Sequence, residues 1–279
     1  MSSSPPPAPL LPIERFEIFA NGLDHPECVA FDRDGYLWAG GEAGQVYRID
    51  RAGKVETIAT LGGFTGGIAL SPAADEVLVC NPSHGLVIVN RDGSHRVFAT
   101  QARHHKLVSP NFPVFDRAGN LYVTDSGNWR KHNGYLFRYD PDGNGVVVAG
   151  PFGYANGLAL SADERRLYMV ESDTNRVFVM DTDTFQSRVY AEDVGRLPDG
   201  LALDEAGNLY CSCYASDDIH RISPEGGKTL FAYDPFAILL SRPTNMAFDG
   251  EWMYAANLGR TTVTRAKVDV MGQLLANRR

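Results

Sequence analysis

The stretch Pro198-Asp199-Gly200-Leu201-Ala202-Leu203-Asp204-Glu205-Ala206-Gly207-Asn208-Leu209-Tyr210 decides the fold, because its core recurs along the chain. The related segments are Glu27-Cys28-Val29-Ala30-Phe31-Asp32, Gly66-Gly67-Ile68-Ala69-Leu70-Ser71, Asn111-Phe112-Pro113-Val114-Phe115-Asp116, Asn156-Gly157-Leu158-Ala159-Leu160-Ser161 and Thr244-Asn245-Met246-Ala247-Phe248-Asp249. In chain order their first residues lie 39, 45, 45, 43 and 45 positions apart. A fixed period in this range marks a repeat architecture. After each segment comes a turn (Asp34-Gly35, Ala73-Ala74-Asp75, Ala118-Gly119, Asp163-Glu164, Ala206-Gly207, Asp249-Gly250), then a second apolar run such as Leu121-Tyr122-Val123 or Leu167-Tyr168-Met169. A third run follows, as in Val46-Tyr47-Arg48-Ile49 and Ile219-His220-Arg221-Ile222, and then a fourth, as in Val146-Val147-Val148-Ala149. Short runs rich in β-branched and aromatic residues, bounded by turn formers, are strands. Four strands per repeat make a propeller blade. The expectation is an all-β, six-bladed β-propeller with four-stranded blades.

The sixth repeat has no fourth strand of its own after Thr262–Val268. The segment from Arg15 to Ala20, ahead of the first repeat, has the fourth-strand pattern. It is expected to pair with the last blade and so remove an open sheet edge. Residues 13–279 are then one domain, preceded by a disordered tail over residues 1–12, whose Ser- and Pro-rich start has neither the basic nor the apolar region of a secretory signal.

Composition narrows the function. The chain of 279 residues has 26 basic and 34 acidic side chains and a net charge of −8. That acidic balance disfavours nucleic-acid and anionic-membrane partners, which require basic patches. No apolar run approaches the roughly 20 residues of a spanning helix. The four cysteines, Cys28, Cys80, Cys211 and Cys213, are too few for a disulfide scaffold and lack the paired spacing of a zinc site. They read as small buried side chains of a reduced, cytoplasmic protein, a monomer or weak homo-oligomer.

If the first strand of each blade is innermost, its leading residue lies at the axial mouth. That position holds Glu27, Gly66, Asn111, Asn156, Asp199 and Thr244. Carboxylate and amide oxygens converging on one axis suit a hard divalent cation. Without one, two buried carboxylates would repel each other. Oxygen ligands favour Ca²⁺, with Mg²⁺, Mn²⁺ and Zn²⁺ also compatible. The opposite face collects Asp/Gly turns, which serve backbone geometry.

Glu27 ahead of Ala-Phe-Asp, the Asn156-Gly157-Leu158 motif and the Pro198-Asp199-Gly200-Leu201 motif one blade later resemble the senescence-marker/regucalcin/gluconolactonase family. The resemblance covers about residues 15–265. It implies a six-bladed propeller with one divalent cation in the mouth and hydrolysis of sugar lactones. It further implies Glu27, Asn156 and Asp199 as metal ligands, and related phosphotriester-cleaving members add the Asn at position 111. Sugar lactonases have an Arg and an Asp where this chain has Ser109 and Phe112, which points to a more apolar lactone or ester.

Other candidates for the mouth are Trp129, Arg130 and His132 in the longest loop between second and third strands, with His84, His104, His105, Tyr154, Tyr214, Asn245 and Asn257. A histidine beside the carbonyl would be an acid or base at neutral pH. The functional expectation is a metal-dependent hydrolase of a small-molecule lactone or ester, with Asp199 and Asn111 catalytic. Phe112, Trp129, Arg130, His132, Tyr214 and His84 would join Asn111 in binding substrate. The rival expectations are a metal-free condensing enzyme of the strictosidine-synthase type and a non-enzymatic binding scaffold.

Overall fold

The computed structural model describes residues 8–72 and 76–278. They form six four-stranded antiparallel sheets arranged in a ring. Blade one runs Val29–Phe31, Leu37–Gly40, Gln45–Ile49 and Val55–Thr60. Blade four runs Ala155–Leu160, Arg166–Glu171, Arg176–Asp181 and Ser187–Ala191, and blade five Pro198–Leu203, Leu209–Cys213, Asp218–Ile222 and Lys228–Tyr233. Blades two and three follow the same order, from Ile68–Leu70 to His95–Ala99 and from Pro110–Phe115 to Gly145–Phe152. The Ala73-Ala74-Asp75 turn lies outside the described residues.

The inner strands Ala155–Leu160 and Pro198–Leu203 are buried at every position. Outer strands such as His95–Ala99 are largely exposed. A strand covered on both faces reads as a continuous apolar run, whereas an outer strand reads as mixed, so sequence pattern orders the strands radially. The turns after the inner strands are braced by their own acids. Asp32, Asp116 and Asp204 each accept the backbone N–H four residues on, from Tyr36, Asn120 and Asn208, all at 2.8 Å.

Blade six contains Pro243–Asp249, Trp252–Asn257 and Thr262–Lys267, and its fourth strand is Phe16–Asn21. The expected closure is therefore present, one residue later at each end. The structure corrects the expected tail. Residues 1–7 lie outside the described residues, but Leu10 and Leu11 donate backbone hydrogen bonds to Leu230 and Phe231 on the outer strand of blade five. Leu11 is buried with Phe16 and Leu240, so the ordered body begins before residue 13. At the other end of the chain, Gln273 donates to the Leu160 carbonyl at 2.8 Å and Asn277 to the Phe31 carbonyl at 2.9 Å. The C-terminal segment thus crosses the end of the channel away from the mouth. Among the described residues no helix is long and apolar enough to cross a membrane.

Candidate metal and substrate pocket

The mouth residues owe their placement to a repeated irregularity. In blades three to six the pairing of first and second strands skips from Pro110 to Pro113, Ala155 to Leu158, Pro198 to Leu201 and Pro243 to Met246. Each skip spans the mouth position and the residue after it. Such a bulge releases two residues from the ladder and re-aims the strand. Backbone at and beside each bulge pairs sideways with the neighbouring blade instead. The Asn111 carbonyl accepts from Gly67 N–H at 2.7 Å, the Asn156 carbonyl from Thr124 Oγ1 at 2.8 Å and the Pro198 carbonyl from Ser172 Oγ at 2.7 Å. The Glu27 carbonyl accepts from Thr244 Oγ1 at 2.5 Å and Asn245 Nδ2 at 3.1 Å, which stitches blade six to blade one.

The result is a pocket of about 350 Å³ with Glu27, Asn111, Asn156, Ser172 and Asp199 among its lining. Phe64, Pro82, Trp129, Tyr154, Leu197, Tyr214 and Leu258 supply apolar and aromatic walls. Among the described residues, no lysine, arginine or histidine lines it. Asn156 Nδ2 donates to Asp199 Oδ2 at 3.1 Å and to Ser172 Oγ at 3.2 Å. That leaves Asn156 Oδ1, Asp199 Oδ1 and Glu27 Oε2 buried with no hydrogen-bond partner. Orphaned buried acceptors are costly and rare. Three of them on one pocket wall need a positive guest. Burial and the Asp199 charge push the Glu27 carboxyl well above its ordinary range. Burial raises Asp199 to about 7 against the opposing hydrogen bond from Asn156. The donor set, two carboxylates and an amide oxygen, therefore fits a hard divalent cation.

The structure sorts the other expected residues. Trp129 and Tyr154 meet edge-to-face at 4.8 Å and both line the pocket. Tyr214 lines it too, and its hydroxyl accepts from Arg242 Nη1 at 3.2 Å. Phe112 does not line the pocket. Successive strand residues face opposite ways, so Asn111 takes the mouth and Phe112 packs into the core below. Arg130 and His132 are exposed and outside the lining, with the Arg130 guanidinium 5.8 Å from the Trp129 ring. His84, His104 and His105 are likewise exposed and outside it. Asn245 braces Glu27 from behind, and Asn257 is engaged with Thr264 and the Ser241 backbone. Sequence reasoning missed Ser172, Phe64, Pro82, Leu197 and Leu258. Ser172 sits in the short turn after the second strand of blade four, a mouth-side position that could have been flagged by its place in the repeat.

Fold and pocket define a class: a six-bladed propeller whose axial mouth offers hard oxygen ligands inside an aromatic rim. Residues 25–257 match the SMP-30/gluconolactonase/LRE-like region, and the chain belongs to that family. It is 29% identical over 228 residues to the 6-deoxy-6-sulfogluconolactonase of Pseudomonas putida, covering 77% of this chain and 75% of that one. It is 30% identical over 143 residues to a gluconolactonase of Zymomonas mobilis, covering 42% of this chain and 39% of the relative. A solved gluconolactonase from Xanthomonas campestris superposes with a TM-score of 0.79 at 19% identity, over 92% of this chain and 89% of that one.

Proposed function

We propose that the protein is a divalent-cation-dependent hydrolase of a lactone or related ester. The cation would be held by Glu27, Asn156 and Asp199, with Asn111 completing the set or contacting substrate. The carrying observation is the trio of buried, partnerless oxygens on Glu27, Asn156 and Asp199 in a pocket that, among the described residues, no basic side chain lines. Family membership supports the lactonase reading. Ca²⁺ is the first candidate on ligand hardness, in keeping with a calcium-binding regucalcin from Agrobacterium tumefaciens among the structural neighbours.

When bound, the cation supplies Lewis-acid polarisation of the carbonyl, worth several kcal/mol of developing charge. The chain's own residues do the rest. Asn156 fixes one Asp199 oxygen by hydrogen bonding and leaves the other free for the cation. The Asp199 carboxylate takes the proton of the attacking water as the new C–O bond forms. The ring C–O bond then breaks, and the departing alkoxide recovers the proton. Trp129, Tyr154, Tyr214 and Leu258 pack the rest of the substrate and exclude water. Walls of this kind, with no basic side chain among the described residues to meet a carboxylate or sulfonate, favour a lactone with apolar substituents over a polyhydroxylated or anionic one.

Metal analysis of the purified protein, with a lactone panel assayed before and after chelation, tests this directly. One bound divalent ion and chelator-sensitive turnover, highest on apolar lactones, are expected. Asp199→Ala should lose tight metal binding and turnover together, and full activity in that variant would overturn the assignment.

A further inference from the structure

Blade five carries a second cluster of ligating side chains, outside the lining of the mouth pocket. Cys213 pairs across the ladder with Asp218, and Cys211 with His220, so all four side chains leave the sheet on one face. That face packs on blade four, where Cys211 and Cys213 join Val177, Ala191 and Val194 in a common core. We propose that Cys213, Asp218 and His220 form a binding site for a soft divalent cation, zinc foremost, separate from the oxygen-lined mouth.

The three ligand atoms lie within 4.8 Å of one another. His220 Nε2 is 3.5 Å from Asp218 Oδ1. That separation is long for a hydrogen bond. It is close to the roughly 3.3 Å that separates two ligands on a tetrahedral zinc with bonds of about 2.0–2.1 Å. Asp218 is 8% exposed and Cys213 fully buried, so both groups are largely withdrawn from water. Asp218 Oδ1 and His220 Nδ1 are buried with no hydrogen-bond partner. The Cys213 thiol has only weak, long contacts, to the Val194 carbonyl at 3.5 Å and the Cys211 carbonyl at 3.9 Å. A buried carboxylate, a thiol and an imidazole gathered with unpartnered polar atoms are a poor arrangement on their own and a good one around a cation.

Burial, then the neighbouring Cys211 and Asp218, push the Cys213 thiol well above its ordinary range. A free thiolate nucleophile is therefore the wrong reading of this cysteine. Cation binding supplies the missing charge. The thiol proton leaves to solvent as the S–metal bond forms, and the Val194 carbonyl loses its donor and is left to a water or to the fourth metal position. The two sites then divide by softness. Thiolate and imidazole select zinc-like ions, while the mouth's carboxylates and amide select calcium-like ones.

Cobalt(II) reports the site spectroscopically, since only a thiolate ligand gives a sulfur-to-cobalt charge-transfer band in the near ultraviolet. Chelator-stripped full-length protein titrated with Co²⁺ should develop that band, and one equivalent of Zn²⁺ should abolish it. The Asp199→Ala variant, impaired at the mouth, should retain the band. Cys213→Ser should lose it while still binding added Ca²⁺ as the wild type does, and His220→Gln should weaken Co²⁺ binding at least tenfold. Absence of the band in the wild-type protein at saturating Co²⁺ overturns the proposal without recourse to any variant. So does a band that survives in Cys213→Ser.

Discussion

Gly157 and Gly200, the second residues of the Asn-Gly-Leu and Asp-Gly-Leu motifs, explain at the residue scale why those motifs exist. A Cβ on Gly200 would run into the Thr244 carbonyl oxygen of the next blade, and one on Gly157 into the Asp199 carbonyl oxygen. The inner strands approach so closely at the mouth that no side chain fits between them. The motif thus couples a ligand to the gap that lets its neighbour reach the axis. Gly200→Ala should destabilise the protein by about 1–3 kcal/mol through overpacking. It should also weaken metal binding, because Asp199 moves with the displaced strand. Thermal melts with and without added cation would check both effects, and an unchanged melting temperature would show that the blades have room to part.

Residue identity at the mouth was legible for a related reason. Glu27, Asn111, Asn156 and Asp199 hold one place in the repeat, so a single geometric assumption located all four. Loops broke that assumption. Trp129 faces the pocket, whereas Arg130 and His132, in the same loop, remain in solvent. Both have positive φ, at 57° and 49°, and such local backbone reversals leave no periodic trace. Phe112 was misplaced by one residue's worth of alternation. The Cys213, Asp218 and His220 cluster depends on cross-strand register, which cysteine spacing along the chain does not encode.

At the scale of elements, the connection from blade five to blade six is wrapped around one acid. Asp234 follows the strand Lys228–Tyr233, and its carboxylate accepts N–H bonds from Phe236, Ile238, Leu239 and Leu240 at 2.6–3.0 Å. This wrap delivers the chain to Pro243 and Thr244, whose hydroxyl braces Glu27. Burial alone would raise the Asp234 carboxyl, but the four backbone donors outweigh it and hold the group below its ordinary 3.8. A depressed value means that the ionised form stabilises the fold above about pH 4 and that this contribution is lost as pH falls through the lower folded value. Asp234→Asn should therefore cost about 1–3 kcal/mol at neutral pH. The gap between variant and wild type should narrow below about pH 4. Denaturant unfolding at pH 7 and pH 3 measures it, and a gap that grows in acid would reverse the sign of the argument.

For the whole molecule, stability turns on closing the ring. Phe16–Asn21 pairs with Thr262–Lys267, so the first ordered strand completes the last blade. Glu17 reinforces the seam with Arg265 at 2.7 Å, and the Arg265 guanidinium also lies 4.9 Å from the Phe19 ring. Leu11 anchors the approach to the seam on blade five, and Asn277 ties the far end of the chain to blade one. Both termini therefore act as fasteners on a ring that each blade holds only through its neighbours. Removing residues 1–21 would leave Thr262–Lys267 as an open edge with unpaired backbone groups, a template for intermolecular pairing. The truncated chain should unfold at a lower temperature, and it should scatter light before it melts. Calorimetry alongside static light scattering separates the two effects. A truncated protein as stable and as monodisperse as the full chain would mean that the inner strands and their cross-blade hydrogen bonds close the ring without the seam. The mouth geometry depends on that same ring of contacts, so loss of closure should also loosen the cation site. Its affinity in the truncated chain should fall along with the melting temperature.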